Sequence, residues 1–311
     1  MTAEAAAPGL QSDPAKGLTL GFVGGLTLSF DIPLIRLALS DPFTVMAARG
    51  FGLALVLFAI WHLWWKKSSP DADLLSDRDF LTVGTLSGLN NICFTLAVFN
   101  TSTANVVFIL AFNAMLAALL SWFWMRERLG WHTWMAIFAT IIGVAIIVSD
   151  SVSAGNWKGD VMALACAALL ALSLTLTRKS GKDLSMAPGF GGMVSGLFAL
   201  PMVIVMAPLP EAPIWLALDA LVLVPIAGIT LWMAPRFIPA PHVALFYLLE
   251  TVLAPLWVWF VFTEVPSGRA FFGGAIVIGA LIVHTTVELR AGRLRRFAAN
   301  PLTGTANHAH N

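Results

Sequence analysis

The stretch NAMLAALLSWFWMRE, Asn113 to Glu127, returns later in the chain as ETVLAPLWVWFVFTE, Glu250 to Glu264. In both copies a glutamate follows the opening polar residue by fourteen positions, and a shift of 137 superimposes Leu116 on Leu253, Ala117 on Ala254, Trp122 on Trp259 and Phe123 on Phe260. Chance is a poor explanation for that many matches, so the chain reads as an internal duplication.

What surrounds the two copies is almost entirely apolar. Hydrophobic residues make up 58% of the 311 and charged residues 11%, and the apolar residues fill windows about twenty long instead of recurring with amphipathic period. Crossing a hydrocarbon core of ~30 Å takes about 20 helical residues. Ten such segments are expected, near residues 17–38, 43–65, 80–99, 102–125, 131–149, 159–178, 187–207, 214–235, 242–263 and 269–288. The fold expected is therefore an all-α integral membrane protein. A net charge of +1 gives no reason to invoke nucleic acid, and no cleaved signal peptide is expected. Cys93 and Cys166 both lie in apolar blocks, and neither a disulfide framework nor a metal-ligand spacing is present in the sequence, so no cofactor is expected.

Basic residues set the orientation. With the N-terminus inside, Lys16, Lys66, Lys67, Arg78, Arg126, Arg128, Arg178, Lys179, Lys182, Arg236 and the four arginines of the tail are cytoplasmic, fourteen of the eighteen. Both termini are then cytoplasmic in a multi-pass protein of a bacterial inner membrane. Tryptophans at the expected helix ends, such as Trp61, Trp122, Trp131 and Trp157, fit interfacial belts.

The repeated stretch falls in the fourth and ninth segments, so the duplicated unit is five helices. An odd unit enters the membrane from opposite sides in its two copies, which gives two inverted five-helix repeats related by an axis in the membrane plane. The division expected is a cytoplasmic tail at 1–16, repeats at 17–149 and 159–288, a linker at 150–158, and a basic, disordered cytoplasmic tail at 289–311. Glu127 and Glu264 read as helix-end or loop-locking groups.

LLETVLAPLWVWFVFTEVPSGRAFFGGAIVIGALIV, its first-half counterpart beginning at Asn113, and DPFTVMAARGFGLALVLF around Arg49 together resemble the EamA-type carriers of the drug/metabolite transporter superfamily. The resemblance covers nearly all of residues 17–288. It implies a ten-helix carrier with a central cavity lined by helices 1, 3, 4, 6, 8 and 9, often an exporter of amino acids or other small metabolites. Thr251 and Ala114 stand where the family usually has proline, which is expected to straighten both helices at mid-membrane.

An ionisable side chain at the centre of a membrane helix costs about 2.5–3.5 kcal/mol on insertion scales, so each one needs a reason. Three stand out. Asp31 and Arg49 are each nine residues from the turn at Ser40, roughly 13 Å at 1.5 Å per residue, and should form a structural ion pair. Asp31 also precedes Pro33, whose ring interrupts the helix ladder, and discontinuous helices often mark substrate or ion sites. Glu250 shares a helix face with Phe246, Tyr247 and Trp257. An acid among aromatic faces suits a substrate ammonium or a proton carried in exchange; a protonated structural glutamate is the other reading. Asn113 is its uncharged repeat mate. Asn90, Asn91 and Phe94 on the third helix offer hydrogen bonds and a ring to a substrate, or glue between helices. The glycine-rich runs GFVGG, GFGG and FFGGAIVIGAL read as close helix packing, since neither a preceding strand nor a lysine and serine in order makes them phosphate loops.

These residues point to a secondary carrier for a small amphipathic metabolite, an amino acid or relative, with export favoured, acting as a monomer or homodimer. Uptake of a vitamin-like ring compound such as riboflavin is the alternative. A membrane-embedded enzyme is disfavoured because the six histidines lie scattered at helix ends or in the tail and form no catalytic constellation.

Overall fold

A computed structural model describes residues 14–65, 76–126, 129–182, 184–206, 210–234, 237–238 and 240–299. They form helices, with no strand among the described residues. An apolar chain whose backbone must satisfy its own polar groups away from water has little alternative. The helices are α1 (Pro14–Leu28), α2 (Asp31–Leu37), α3 (Pro42–Ile60), α4 (Arg78–Asn100), α5 (Thr103–Leu110), α6 (Asn113–Met125), α7 (Trp131–Ala154), α8 (Trp157–Ser180), α9 (Ala187–Met206), α10 (Pro213–Leu218), α11 (Val224–Met233), α12 (Ala240–Phe262) and α13 (Gly268–Ala299). A π-helical turn, Asp219–Leu223, joins α10 to α11, and another, Trp61–Trp65, extends α3.

Among the described residues nine helical stretches are long and apolar enough to cross a membrane, and Phe246–Phe262 of α12 forms a shorter apolar helix. Three of the ten expected segments are interrupted. The first breaks at Ser29–Phe30, four and three residues before Pro33, where the proline ring disturbs the ladder. The fourth breaks at Ala111–Phe112 although proline is absent there, against the straight helix expected. The Asn113 side chain donates to the Leu110 carbonyl at 2.7 Å, a local bond that competes with the backbone ladder. In contrast α12 runs unbroken through Thr251, and through Pro255 as well. The eighth segment carries the π turn just ahead of Pro225.

Two expected boundaries move. The linker at 150–158 shrinks to a turn at Gly155 and Asn156, because α7 continues to Ala154 and closes on Gly155 at φ 82°, a conformation glycine adopts freely. The last helix runs eleven residues past 288 to Ala299, so the first part of the basic tail is helical and residues 300–311 lie outside the described residues. Glu127 and the residues before Pro14 also lie outside them.

Several packings join the halves: α3 lies on α9, α7 on α13, α1 on both α11 and α12, and α5 on α12. Within the first half and its neighbours α4 packs on α8 and α9, and α6 on α8. Glycine permits the closest of these approaches. A Cβ on Gly50 would come within 2.5 Å of the Gly192 carbonyl oxygen, and one on Gly192 within 2.4 Å of that of Gly50. The α7–α13 contact repeats the arrangement: a Cβ on Gly143 would meet the Gly273 oxygen at 2.7 Å, and one on Gly273 the Gly143 oxygen at 2.6 Å. Backbone cannot retreat as a side chain does, so Gly50→Val forces α3 and α9 apart. A loss of about 1–3 kcal/mol is expected, read as a lower unfolding midpoint in detergent.

Candidate functional site

Arg49, on α3, is 6% exposed and holds two carboxylates. Its Nη1 pairs with Asp31 Oδ1 and donates to Asp219 Oδ2 at 2.6 Å, while Nη2 donates to Asp31 Oδ2 at 3.0 Å. Asp31 thus meets the guanidinium as a fork and Asp219 from the side. Asn91 Oδ1 accepts from Nε at 3.5 Å, and the Phe94 ring lies 5.2 Å from the guanidinium carbon. Asp31 and Asp219 are 3% and 0% exposed.

Local sequence explains how three charges meet. The break at Ser29–Phe30 starts α2 on Asp31, beside the antiparallel α3. Gly52 lets the eighth segment approach, since a Cβ there would come within 2.7 Å of the Ala220 carbonyl oxygen. The π turn, closed by the Val224 N–H on the Asp219 carbonyl, sits where Pro225 disturbs an α-ladder, and π turns of this kind often occur at functional positions. Sequence reasoning passed over Asp219, although a carboxylate inside PIWLALDALVLVPIAG carries the same signal as Asp31 and also lies ahead of a proline.

Glu250 is half-buried on α12 and makes no hydrogen bond among the described residues. Asp31 and Arg49 lie within its electrostatic reach, as do Cys166 and Tyr247. Tyr247 is 39% exposed.

The remaining candidate residues divide between the Arg49 cluster, which Asn91 and Phe94 touch, and contacts made elsewhere. Phe246 lies where α1 crosses α12: a Cβ on Gly21 would meet its ring at 2.3 Å and one on Gly25 its carbonyl oxygen at 2.2 Å. Trp257 donates Nε1 to Ser29 Oγ at 3.0 Å and stacks on Phe30 at 5.0 Å, filling the break in the first segment. Asn90 donates to the Cys166 carbonyl at 2.9 Å, and Asn91 to Ser195 Oγ at 2.9 Å, both acting between helices. Phe94 is buried against Arg49, and the Asn113 amide is spent on its own helix break. A cavity of about 430 Å³ between α6 and α8, lined by Leu116, Leu119, Leu120, Trp122, Phe123, Ala168 and Leu172, shares no residue with the charged cluster.

One end of the bundle is stitched together by polar groups. Arg36 pairs with Glu264, whose Oε1 also accepts the Thr103 N–H at 3.0 Å. Thr101 donates to Asp160 at 2.6 Å, Asn105 donates to Ser151 at 2.6 Å, and Ser267 bonds Asp150. The Glu211 and Ala212 N–H groups donate to the Leu39 and Ala38 carbonyls. All five connections at this end are joined. At the opposite end Lys182 bonds Asp77 at 2.8 Å and Asp79 at 2.6 Å. The hydrogen bond from Lys182 holds the Asp77 carboxyl below its usual range, and the bond to Asp77, then that to Asp79, raises the Lys182 ammonium above its own. A depressed carboxyl keeps the link down to acid pH and a raised ammonium keeps it up to alkaline pH, so it persists across the neutral range.

Residues 15–149 match the EamA-like transporter family. That stretch is similar to EamA-type transporters, and the nine long apolar helices among the described residues make the chain a multi-pass membrane protein. A solved structure titled "Crystal structure of protein" superposes with a TM-score of 0.60 over 89% of this chain and 99% of its own, at 18% identity, and shares the fold. Among curated proteins none matches.

Proposed function

We propose that the protein is a secondary carrier with ten spans in two inverted five-helix repeats, moving a small amphipathic metabolite by alternating access. The observation that carries this reading is Glu250: a half-buried carboxylate in an apolar helix, without a hydrogen-bond partner among the described residues, beside an ion-paired arginine. A carboxylate kept there for structure alone would be expected to have a partner.

The packing supports the repeat. Exchanging each span for the one five places along turns α4 on α8 into α11 on α1, and α6 on α8 into α12 on α1, while α3 on α9, α7 on α13 and α5 on α12 map onto themselves. Two similar halves in such an arrangement have two packings of comparable energy, which is what alternating access requires. The stitched end is the closed gate in this reading. It is incompletely satisfied, with Arg36 Nε, Thr103 Oγ1 and Asp160 Oδ2 buried and unbonded, which lowers the cost of opening it.

Glu250 and Tyr247 would receive the substrate's ammonium group, and Arg49 with Asp31 would form the fixed wall beside them. An amino acid or a related compound fits this chemistry, with export favoured, from a bacterial inner membrane with both termini cytoplasmic and the gate outside. Thermal unfolding of purified protein against amino acids and flavins tests the site. A ligand present at 100 times its Kd is expected to stabilise the wild type by about 2.7 kcal/mol and Glu250→Gln by far less. Equal shifts in both proteins would remove Glu250 from the site.

A further inference from the structure

The charged cluster holds more negative charge than the carrier reading needs. Arg49 is one cation, and both Asp31 Oδ1 and Asp219 Oδ2 sit on its Nη1. The cluster therefore carries a net charge of minus one while both carboxyls are ionised. Asp219 is wholly buried, and its Oδ1 has no hydrogen-bond partner among the described residues. An ionised carboxylate oxygen left unbonded in an apolar span is expensive, and two carboxylates sharing one site resist ionising together.

The surroundings offer no further cation. Among the described residues α2 adds Arg36, committed to Glu264. From α3 comes Arg49 alone, and from α1 only Lys16, near the opposite end and over Phe237. The charge nearest to the pair from α12 is the acidic Glu250, with Tyr247 beside it, while α4 and α8 present the free cysteines Cys93 and Cys166. Every group added to the account leaves the cluster negative or more so.

We propose that Asp31 and Asp219, joined through Arg49, form a proton-binding dyad that holds one proton in this conformation. Binding of the proton to one carboxylate oxygen forms an O–H bond, breaks no other, and takes the cluster from minus one to neutral. The two carboxyls come from opposite halves of the chain, α2 and the π turn after α10, so relative movement of the halves separates them and frees the proton. The proton is then available for exchange against a cationic substrate, a step that rests on the carrier reading, whereas the dyad itself does not.

Infrared difference spectroscopy between acid and alkaline pH, on the full chain reconstituted in lipid, tests the dyad with the proton as the only probe. A protonated-carboxyl C=O stretch that shifts in heavy water is expected in wild type. It is expected to be lost in Asp219→Asn and in Asp31→Asn, and to survive in Glu250→Gln. Asp219→Glu, which keeps the carboxyl, should keep a displaced band and guards against loss through misfolding. A wild type without the band, a band persisting in both asparagine variants, or a band removed only by Glu250→Gln would overturn the proposal. Failure of the carrier reading is registered separately, by the absence of substrate exchange with the band intact.

Discussion

Arg49→Ala is expected to lose about 3–5 kcal/mol of stability, the largest effect of any single change considered, because it strands the Asp31–Asp219 pair and its negative charge in an apolar interior. Both Asp31 and Asp219 are nearly inaccessible to water and depend on the same guanidinium. Loss of packing alone would be smaller and would not respond to the acids. The discriminating comparison is Arg49→Ala combined with Asp31→Asn and Asp219→Asn, which removes the stranded charges and should recover much of the loss. Unfolding midpoints in detergent read both. Arg49→Lys should fall between wild type and alanine, since one ammonium supplies the charge but not the planar fork that Asp31 uses.

The second large effect is conformational. Arg36→Ala breaks the pair with Glu264, a carboxylate that also caps the Thr103 N–H. The pair is about a quarter exposed, which weakens it relative to a fully buried one, so roughly 1–2 kcal/mol is at stake. That energy corresponds to about a 5–30-fold change in the ratio of closed to open molecules. Spin labels at Glu211→Cys and Val265→Cys, on two exposed connections of the stitched end, report it by pulsed dipolar spectroscopy, with Cys93 and Cys166 replaced by alanine. Wild type is expected to give one short distance, and Arg36→Ala a second, longer population. An unchanged distribution would show that Arg36 and Glu264 decorate the end without controlling it.

Much of the helical architecture was legible because membrane helices announce themselves as apolar runs, while the repeat inferred from pairs such as Trp122 and Trp259 is part of the proposed function. The Asp31–Arg49 contact followed from equal distances to Ser40. Asp219 was missed for a reason of scale: one acid in a run as apolar as PIWLALDALVLVPIAG blends into the span unless every ionisable residue is weighed. The break at Ala111–Phe112 was illegible because it arises from where the Asn113 amide turns, a rotamer choice that spacing does not encode. Phe246 shares a helix face with Glu250, and periodicity does not foretell that Gly21 and Gly25 bring α1 close against it as well. Helical spacing assigns faces; which neighbour occupies a face depends on packing between distant segments.

Substrate counterflow in liposomes containing the purified chain bears most directly on whether this is a carrier with Glu250 at its centre. Radiolabelled amino acids and flavins are presented outside vesicles preloaded with the same unlabelled compound. Accumulation of one chemical class by wild type, abolished in Glu250→Gln, is the expected result. Counterflow that survives Glu250→Gln at the wild-type rate would contradict the site, and no counterflow of either class would contradict the substrate chemistry assigned to it.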